Sequence, residues 1–184
     1  MPGKWRGYLA YVILLCSIGL AGCGYIRYAY RFDHIPDSVP ASAPSWGVEA
    51  KVAFAPEGVN VAITNNGNEP ISVLWDECIY IDPNNISHRV LTSQTRLITS
   101  QLAQTPTPIA PGSSIEESLL PADYVSSYVV KSLFPVSPGG EWASGYKAPA
   151  NSLIGKEVGL LLALERNGEK WRQKFRFKVT DVNP

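Results

Sequence analysis

The sequence is poor in the residues that build catalytic and metal centres. It contains two histidines, three cysteines and one methionine among 184 residues. These few histidines and cysteines lack the ligand spacing of a zinc site, so no zinc-binding domain is expected. The chain carries 16 basic and 16 acidic residues, which give a formal net charge of zero. Nucleic-acid-binding domains usually show a basic excess, so we expect no nucleic-acid partner.

Long apolar runs are absent except for one at the start of the chain. Residues 8–20, "YLAYVILLCSIGL", follow the positive charges of Lys4 and Arg6 and precede several small residues. The order of positive, apolar and small residues is typical of a secretory signal. As a helix, residues 8–20 would rise only about 20 Å, whereas the hydrocarbon core of a bilayer is about 30 Å thick.

The apolar run ends in "LAGC", with the cysteine at position 23. This ending resembles the lipobox of bacterial lipoproteins, and the chain looks like a lipoprotein that bears a small β-domain of uncharacterised type. The resemblance implies that residues 1–22 are removed and that Cys23 receives a diacylglyceryl group and becomes the first mature residue, with acyl chains such as palmitate in the membrane. It also implies export to the cell envelope. Gly24 is not the aspartate of an inner-membrane retention signal, so an outer membrane is expected in a diderm cell.

Two other fates of this segment stay open. Residues 19–21 also fit the small-x-small pattern of ordinary secretory cleavage, which would release a soluble protein. Alternatively, the uncharged stretch between Arg6 and Arg27 is long enough to span a membrane if it is not cut. The protein would then be an uncleaved signal-anchor subunit of a membrane complex.

Removal of residues 1–22 leaves a length typical of one domain and a tether. It also takes away Lys4 and Arg6, which lowers the formal charge to −2. Residues 23–45 are predicted to be the lipidated cysteine and a flexible tether, because prolines recur at positions 36, 40 and 44. The folded domain is expected at residues 46–184.

From residue 46 onward, apolar residues recur with a period of two. The segments "WGVEAKVAF" and "VNVAIT" predict one antiparallel hairpin, and "NG" at Asn167 and Gly168 predicts another near the end of the chain. Glu77 falls in the apolar phase of its segment, which indicates a bulge or a change of partner sheet near Asp76 and Glu77. Seven or eight short strands are expected, in an all-β fold. The predicted architecture is an antiparallel β-sandwich, immunoglobulin-like in the broad sense, after an N-terminal signal helix and a proline-rich tether.

No set of residues predicts catalysis. His34 falls in the predicted tether, while Ser87 and His88 are neighbours on a strand and must point to opposite faces. We therefore expect a protein that is not an enzyme and needs no cofactor. Cys78 is predicted to be a buried apolar residue, although a reactive thiol is the alternative.

One group of carboxylates is a weak calcium candidate. Asp76, Glu77 and Asp82 lie close together in the sequence, and calcium prefers oxygen ligands. The competing interpretation is structural, because "DPNN" after residue 81 fits a β-turn and Asp76 or Glu77 can pair with Arg89. The structural interpretation is favoured, so no metal is predicted.

Two candidate surfaces remain for partner binding. In the final strand, Arg172, Lys174, Arg176 and Lys178 are expected to point outward, where they could dock an acidic partner or anionic headgroups. They could instead protect an exposed sheet edge from unwanted pairing. Trp142 and Tyr146 lie in a glycine- and serine-rich loop that suits an exposed aromatic contact, but Trp142 could equally plug one end of the fold.

The sequence therefore predicts an envelope-anchored lipoprotein whose β-domain binds or scaffolds another envelope component, with an envelope protein as the expected partner. The alternative is a lipoprotein that binds a solute or glycan through the loops at one end of the sandwich. Oligomeric state is left open.

Overall fold

The computed structural model describes residues 28–35, 46–56, 58–95, 102–125, 132–134 and 150–183. Within these ranges the chain forms ten β-strands and two short 3-10 turns. The strands are β1 Ala29–His34, β2 Val48–Ala55, β3 Gly58–Asn65, β4 Ile71–Val73, β5 Ile79–Ile81, β6 Ser87–Thr92, β7 Thr107–Ile109, β8 Ser113–Pro121, β9 Glu157–Arg166 and β10 Glu169–Asn183. The 3-10 turns are Trp75–Glu77 and Ala122–Tyr124. The prediction of an all-β fold is confirmed.

The strands follow one antiparallel path in the order β1-β10-β9-β5-β6-β8-β3-β2, and β4 joins it by pairing with β7 and β9. The two ends of the path face each other across the core, where the rings of Phe32 in β1 and Phe54 in β2 lie 5.7 Å apart. The sheet is therefore nearly barrel-shaped. Antiparallel pairing is confirmed, whereas the immunoglobulin-like sandwich of seven or eight strands is not.

Both predicted hairpins are confirmed. β2 pairs with β3 from Val48 opposite Asn65 to Ala55 opposite Gly58, and β9 pairs with β10 along its whole length. At the second turn Asn167 and Gly168 have φ angles of 52° and 82°. Positive φ at both central residues is the geometry that a two-residue type I′ hairpin requires, and it explains why "NG" is found there.

An irregularity is found at Asp76 and Glu77, where the sequence predicts one, but it is a 3-10 turn and not a bulge or a change of sheet. β4 and β5 both pair with β9, and the 3-10 turn Trp75–Glu77 separates them. On the side away from β9, β4 pairs with β7, whereas β5 pairs with β6. The turn buries Trp75, whose indole N–H donates to Thr107 Oγ1 at 2.7 Å. From Val73 opposite Leu164 to Ile79 opposite Leu161, the register on β9 shifts by three residues, and the two parts of the broken strand join different neighbours.

Strand β1 corrects the prediction of a flexible tether at residues 23–45 for the part that it occupies, residues 29–34. Ala29–His34 pairs with the end of β10, and Tyr28 is buried. Tyr30 and Phe32 alternate with charged residues and pack against Phe134, with ring centroids 5.1 and 5.2 Å away. This segment is a strand because its aromatic residues have a period of two and the prolines begin only at residue 36. Residues 36–45 lie outside the described ranges.

The interior divides into a main core and a small second cluster. The main core lies between the curled strands, and among its largest fully buried side chains are Tyr80, Phe134, Ile63, Ile71, Leu160 and Leu164. The second cluster contains Tyr28, Ala150, Val179 and Val182. It lies where β1 begins and β10 ends, so the N-terminal end of the domain has its own apolar contacts.

Candidate functional site

The final strand carries the row of basic residues that the sequence predicted. Arg172, Lys174 and Lys178 are exposed and Arg176 is partly exposed, whereas Phe175 on the alternate face is buried. β9 pairs with β10 from Glu169 to Lys178, whereas β1 pairs only with the later part of β10, from Phe177 to Asn183. Within the described ranges no strand other than β9 pairs with β10 at Arg172 and Lys174, so protection of a sheet edge remains the alternative interpretation of these two charges.

Acidic side chains from neighbouring elements meet part of this row. Glu77, in the 3-10 turn, accepts hydrogen bonds from both Lys170 and Arg172, and Glu157 in β9 pairs with Arg176. The hydrogen bonds from Lys170 and Arg172 lower the pKa of Glu77 below its ordinary value. Two of the four cations of the row, Arg172 and Arg176, are thus paired with carboxylates, and the row is not a purely positive stripe.

Apolar side chains share this face with the charged ones. Lys174 is in register with Leu161, which is in turn in register with Ile79, while Arg176, Gly159 and Ile81 form the next such row. Residues in register on adjacent antiparallel strands point to the same side of the sheet. Leu161, Ile79 and Ile81 are only partly buried. We call this surface the lateral face, and it consists of Ile79, Ile81, Leu161, Arg172, Lys174, Arg176 and Lys178.

A small cavity of about 190 Å³ opens on the lateral face. Its lining includes Ile81, Asn85, Gly159, Lys174 and Arg176. A Cβ atom at Gly159 would lie 3.0 Å from the Phe175 carbonyl oxygen and 3.7 Å from Ile81. Glycine at this position therefore lets the strands approach closely and leaves a depression beside two cations.

The three carboxylates of the weak calcium candidate do not converge. Asp76 accepts a hydrogen bond from Arg89 Nη2 at 2.6 Å, Glu77 faces β10, and Asp82 caps its own turn by accepting from the Ile86 amide at 2.8 Å. Burial disfavours the charged form of Asp76, but hydrogen bonds from Arg89 and Gln104 outweigh it and lower the pKa. No group of three His, Cys, Asp or Glu side chains in the described ranges is placed to hold a metal ion.

His88 lies between two carboxylates, an arrangement that the sequence did not predict. It is 8% exposed, and its Nδ1 lies 2.8 Å from Asp123 Oδ2, while its Nε2 lies 3.6 Å from Asp82 Oδ2. The imidazole also packs against Tyr80 and Tyr124. Burial raises the pKa of Tyr80, and burial followed by the charges of Asp82 and Asp123 raises the pKa of Tyr124.

The His88 cluster joins three parts of the chain. Asp82 belongs to the turn after β5, His88 to β6, and Asp123 to the second 3-10 turn. Ser87 is exposed while His88 is buried, as expected for strand neighbours. The hydrogen bond between His88 and Asp123 therefore ties the β5–β6 hairpin to the end of β8. A hydrogen bond between a buried imidazole and an exposed carboxylate can hold these two parts of the sheet together.

A polar cavity of about 370 Å³ lies beside the end of β6. Its lining is rich in hydroxyl and amide groups, and the side chain of Gln104 makes several hydrogen bonds there. The Gln104 side chain donates to the Val90 carbonyl at 2.7 Å and accepts from the Thr92 amide at 2.9 Å. These hydrogen bonds fix the side chain, so the cavity has a preformed polar wall.

Cys78 is fully buried next to the broken strand. Its Sγ accepts from the Ala163 amide at 3.5 Å and donates to the Leu74 carbonyl at 3.4 Å. Burial raises the pKa of the thiol to about 11. This environment agrees with the interpretation of Cys78 as a structural residue, because the thiolate needed for reaction is disfavoured.

Several predicted site residues lie outside the described ranges: Cys23, Trp142 and Tyr146. Among the residues that are described, no helix is long and apolar enough to cross a membrane. No model of a known protein family matches the chain, and no curated protein is significantly similar to it in sequence.

Proposed function

We propose that this chain is a bacterial envelope lipoprotein, held to its membrane through Cys23, whose β-domain binds another envelope protein through the lateral face. The anchoring part is supported by "LAGC" at the end of the apolar run. The binding part is supported by one structural observation, the combination of partly buried apolar side chains and ordered ion pairs on a single sheet face. The proposal assigns no catalytic residue and no cofactor.

The composition of the lateral face suits a protein partner better than a simple polyanion. Protein interfaces place apolar contacts at the centre and polar groups at the rim. Here Leu161 and Ile79 lie beside the ion pairs Arg172–Glu77 and Arg176–Glu157. A phosphate-rich polymer would have to compete with these carboxylates, whereas a protein with mixed charges can match both signs. The partner is expected to present an apolar residue to Leu161 and a carboxylate to Lys174.

The binding proposal can be tested with a paired substitution on the lateral face. Leu161→Asp with Lys174→Glu places two negative charges where an apolar group and a cation now lie. Crosslinking in intact cells, followed by affinity purification, is expected to recover a defined envelope protein with the wild type and to lose it with the variant. Lys51→Glu is the matched control, because Lys51 is exposed in β2 and its ion pair is with Glu49 on the same strand.

Recovery of the same partner by the Leu161/Lys174 variant would contradict the assignment of the lateral face. Loss of the partner with the Lys51 control as well would point to a general effect of charge. Circular dichroism and thermal unfolding of both variants separate lost binding from lost folding.

The anchoring proposal has its own test. Metabolic labelling with a fatty acid is expected to label the wild type and not Cys23→Ala. The mass of the purified protein is expected to begin at Cys23 with acyl chains attached. A protein that begins at Met1 would instead support the signal-anchor alternative, and an unlipidated soluble form would support ordinary secretion.

The polar cavity beside β6 favours a second candidate function, the binding of a solute or glycan. Its hydroxyl and amide groups are suited to a sugar, and the side chain of Gln104 is held in place. Fragments of envelope glycans are expected to raise the melting temperature of the wild type if this function holds. The same ligands should leave Gln104→Ala unshifted, and an unshifted wild type would contradict the idea.

A further inference from the structure

The N-terminal end of the domain follows closely on the proposed anchor. Tyr28 is 3% exposed and packs with Ala150, Val179 and Val182, while the next residue, Ala29, is in register with Asn183 at the end of β10. Tyr28, the first residue that the structure describes, thus follows Cys23 by five residues. The anchor is joined to the sheet itself and not to a long tether.

The length of this link limits where the domain can lie. Five residues reach at most about 18 Å when fully extended. β10 has 15 residues, and strands rise about 3.3 Å per residue, so it is roughly 50 Å long. The end of the domain that holds Tyr28 must therefore stay near the bilayer, while the opposite end, at the Asn167–Gly168 turn, is free to point away. The uncleaved alternative gives the same limit, because its uncharged stretch ends just before Arg27.

Exposed apolar residues are found at this same end. The turn before β9 is held against β10, because the Gly155 amide donates to the Val179 carbonyl at 2.8 Å and the Val179 amide donates to the Lys156 carbonyl at 2.9 Å. Within this turn Ile154 is 49% exposed, and it lies two residues from the exposed Lys156. An exposed isoleucine beside a lysine suits the boundary between acyl chains and headgroups.

A second exposed isoleucine lies at the same end of the sheet. Ile86 is 54% exposed in the turn between β5 and β6, and the pairing of Ile81 with Gly159 brings this turn level with the start of β9. The third large exposed hydrophobic residue of the described ranges, Leu102, is 62% exposed. Leu102 lies near the other end of β6, where its carbonyl accepts from Arg89. Two of the three such residues thus share the end at which the chain leaves for its anchor.

We propose that this end of the domain, formed by the start of β1, the end of β10 and the turn 151–156, rests on the surface of the bilayer that holds Cys23. Ile154 enters the headgroup region and Lys156 lies among the phosphates. The inference rests on the proposed anchoring near residue 23. It adds an orientation, in which the lateral face stands upright beside the membrane and remains open to a partner.

The orientation can be tested with the lipidated chain purified from bacterial membranes. Ile154→Cys and Leu102→Cys are labelled with an environment-sensitive fluorophore and reconstituted into vesicles of phosphatidylcholine and phosphatidylglycerol. The native Cys78 is buried and its pKa is raised to about 11, so it does not compete for the label. Lipids with a quencher at the headgroup are expected to reduce the fluorescence at position 154 and to leave position 102 unchanged.

Equal quenching at the two positions, or stronger quenching at 102, would overturn the orientation. Ile86→Cys provides a second reporter at the same end if Ile154→Cys does not fold. The mass of the same purified sample distinguishes the two proposals. A lipidated chain with no quenching at position 154 refutes the orientation and leaves the anchoring intact, whereas a chain without lipid and without the N-terminal segment refutes the anchoring itself.

Discussion

The assignment of β1 to the folded domain makes a quantitative prediction for Phe32→Ala. Phe32 is partly buried, and its ring lies 5.7 Å from that of Phe54 and 5.2 Å from that of Phe134. Truncation of a fully buried phenylalanine costs about 3–5 kcal/mol, and an aromatic pair adds about 0.5–1.5 kcal/mol. For a partly buried ring with two such neighbours, we expect the free energy of unfolding to fall by about 2.5 kcal/mol.

Urea denaturation of a form without residues 1–22 and with Cys23→Ala measures this change. With a slope of about 2 kcal/mol per molar urea, the loss corresponds to a midpoint about 1.2 M lower. Asp33→Ala is the matched control, because Asp33 is the exposed neighbour on the same strand and its loss should change stability by about 0.5 kcal/mol or less. If Phe32→Ala unfolded at the wild-type midpoint, residues 29–34 would belong to the tether and the reasoning on β1 would be refuted.

Three further predictions concern single residues. The Cys78 thiol, whose pKa is raised to about 11, is expected to react with a thiol reagent at pH 8 only after unfolding, and rapid labelling of the native protein would contradict its burial. The pKa of Asp76 is lowered, so its contribution to stability is present above its unfolded pKa of about 4 and is lost as the pH falls further. Asp76→Asn should therefore lower the urea midpoint more at pH 7 than at pH 3, and an equal loss at both would exclude the ion pair with Arg89 as the cause. Gly168→Ala forces a side chain into a φ of 82° and should cost about 1 kcal/mol, whereas an unchanged melting temperature would argue against the type I′ turn.

The parts of the fold that the sequence predicted correctly depend on local chemistry. Hairpins need only a turn and two alternating strands, and both the β2–β3 pair and the turn at Asn167 and Gly168 have these signals. The break at Trp75–Glu77 could be predicted because Glu77 occupies a position where the alternation requires an apolar residue. Such features are settled within about ten residues of sequence, so neighbours along the chain are sufficient to predict them.

The closure of the sheet could not be predicted in the same way. Whether strands form two layers or one curled path depends on which distant strands pair, and β6 joins β8 while β1 joins β10. Nothing in the sequence of either strand indicates which distant strand it pairs with. Phe32 and Phe54 meet across the core only because both ends of the path curl toward each other. The expectation of a sandwich therefore followed from the spacing of the strands, which is common to several all-β architectures.

In the candidate site, too, contacts between residues that are distant in the sequence could not be predicted. The outward row of basic residues on β10 could be predicted because charged and apolar residues alternate there. Glu77, the carboxylate that pairs with Arg172, comes from a turn far away in the sequence and could not be predicted. The pairing of His88 with Asp123 was likewise hidden, since 35 residues separate them. A signal did exist for one part of the site: Ile79 and Ile81 have the same phase in "CIYID", which places them on one face of their strand.

The position of β1 also restricts the kind of partner that the lateral face can meet. A tether from residue 24 to residue 45 would reach roughly 70 Å when extended, so a domain carried on it could find partners far from its membrane. With β1 hydrogen-bonded to β10, the link from Cys23 to the sheet reaches only about 18 Å. The strand that pairs with β1 is the same strand that carries Arg172, Lys174 and Arg176. If Cys23 is the anchor, the lateral face is held within about one strand length of the bilayer, roughly 50 Å, and its partner must itself lie at or near that membrane.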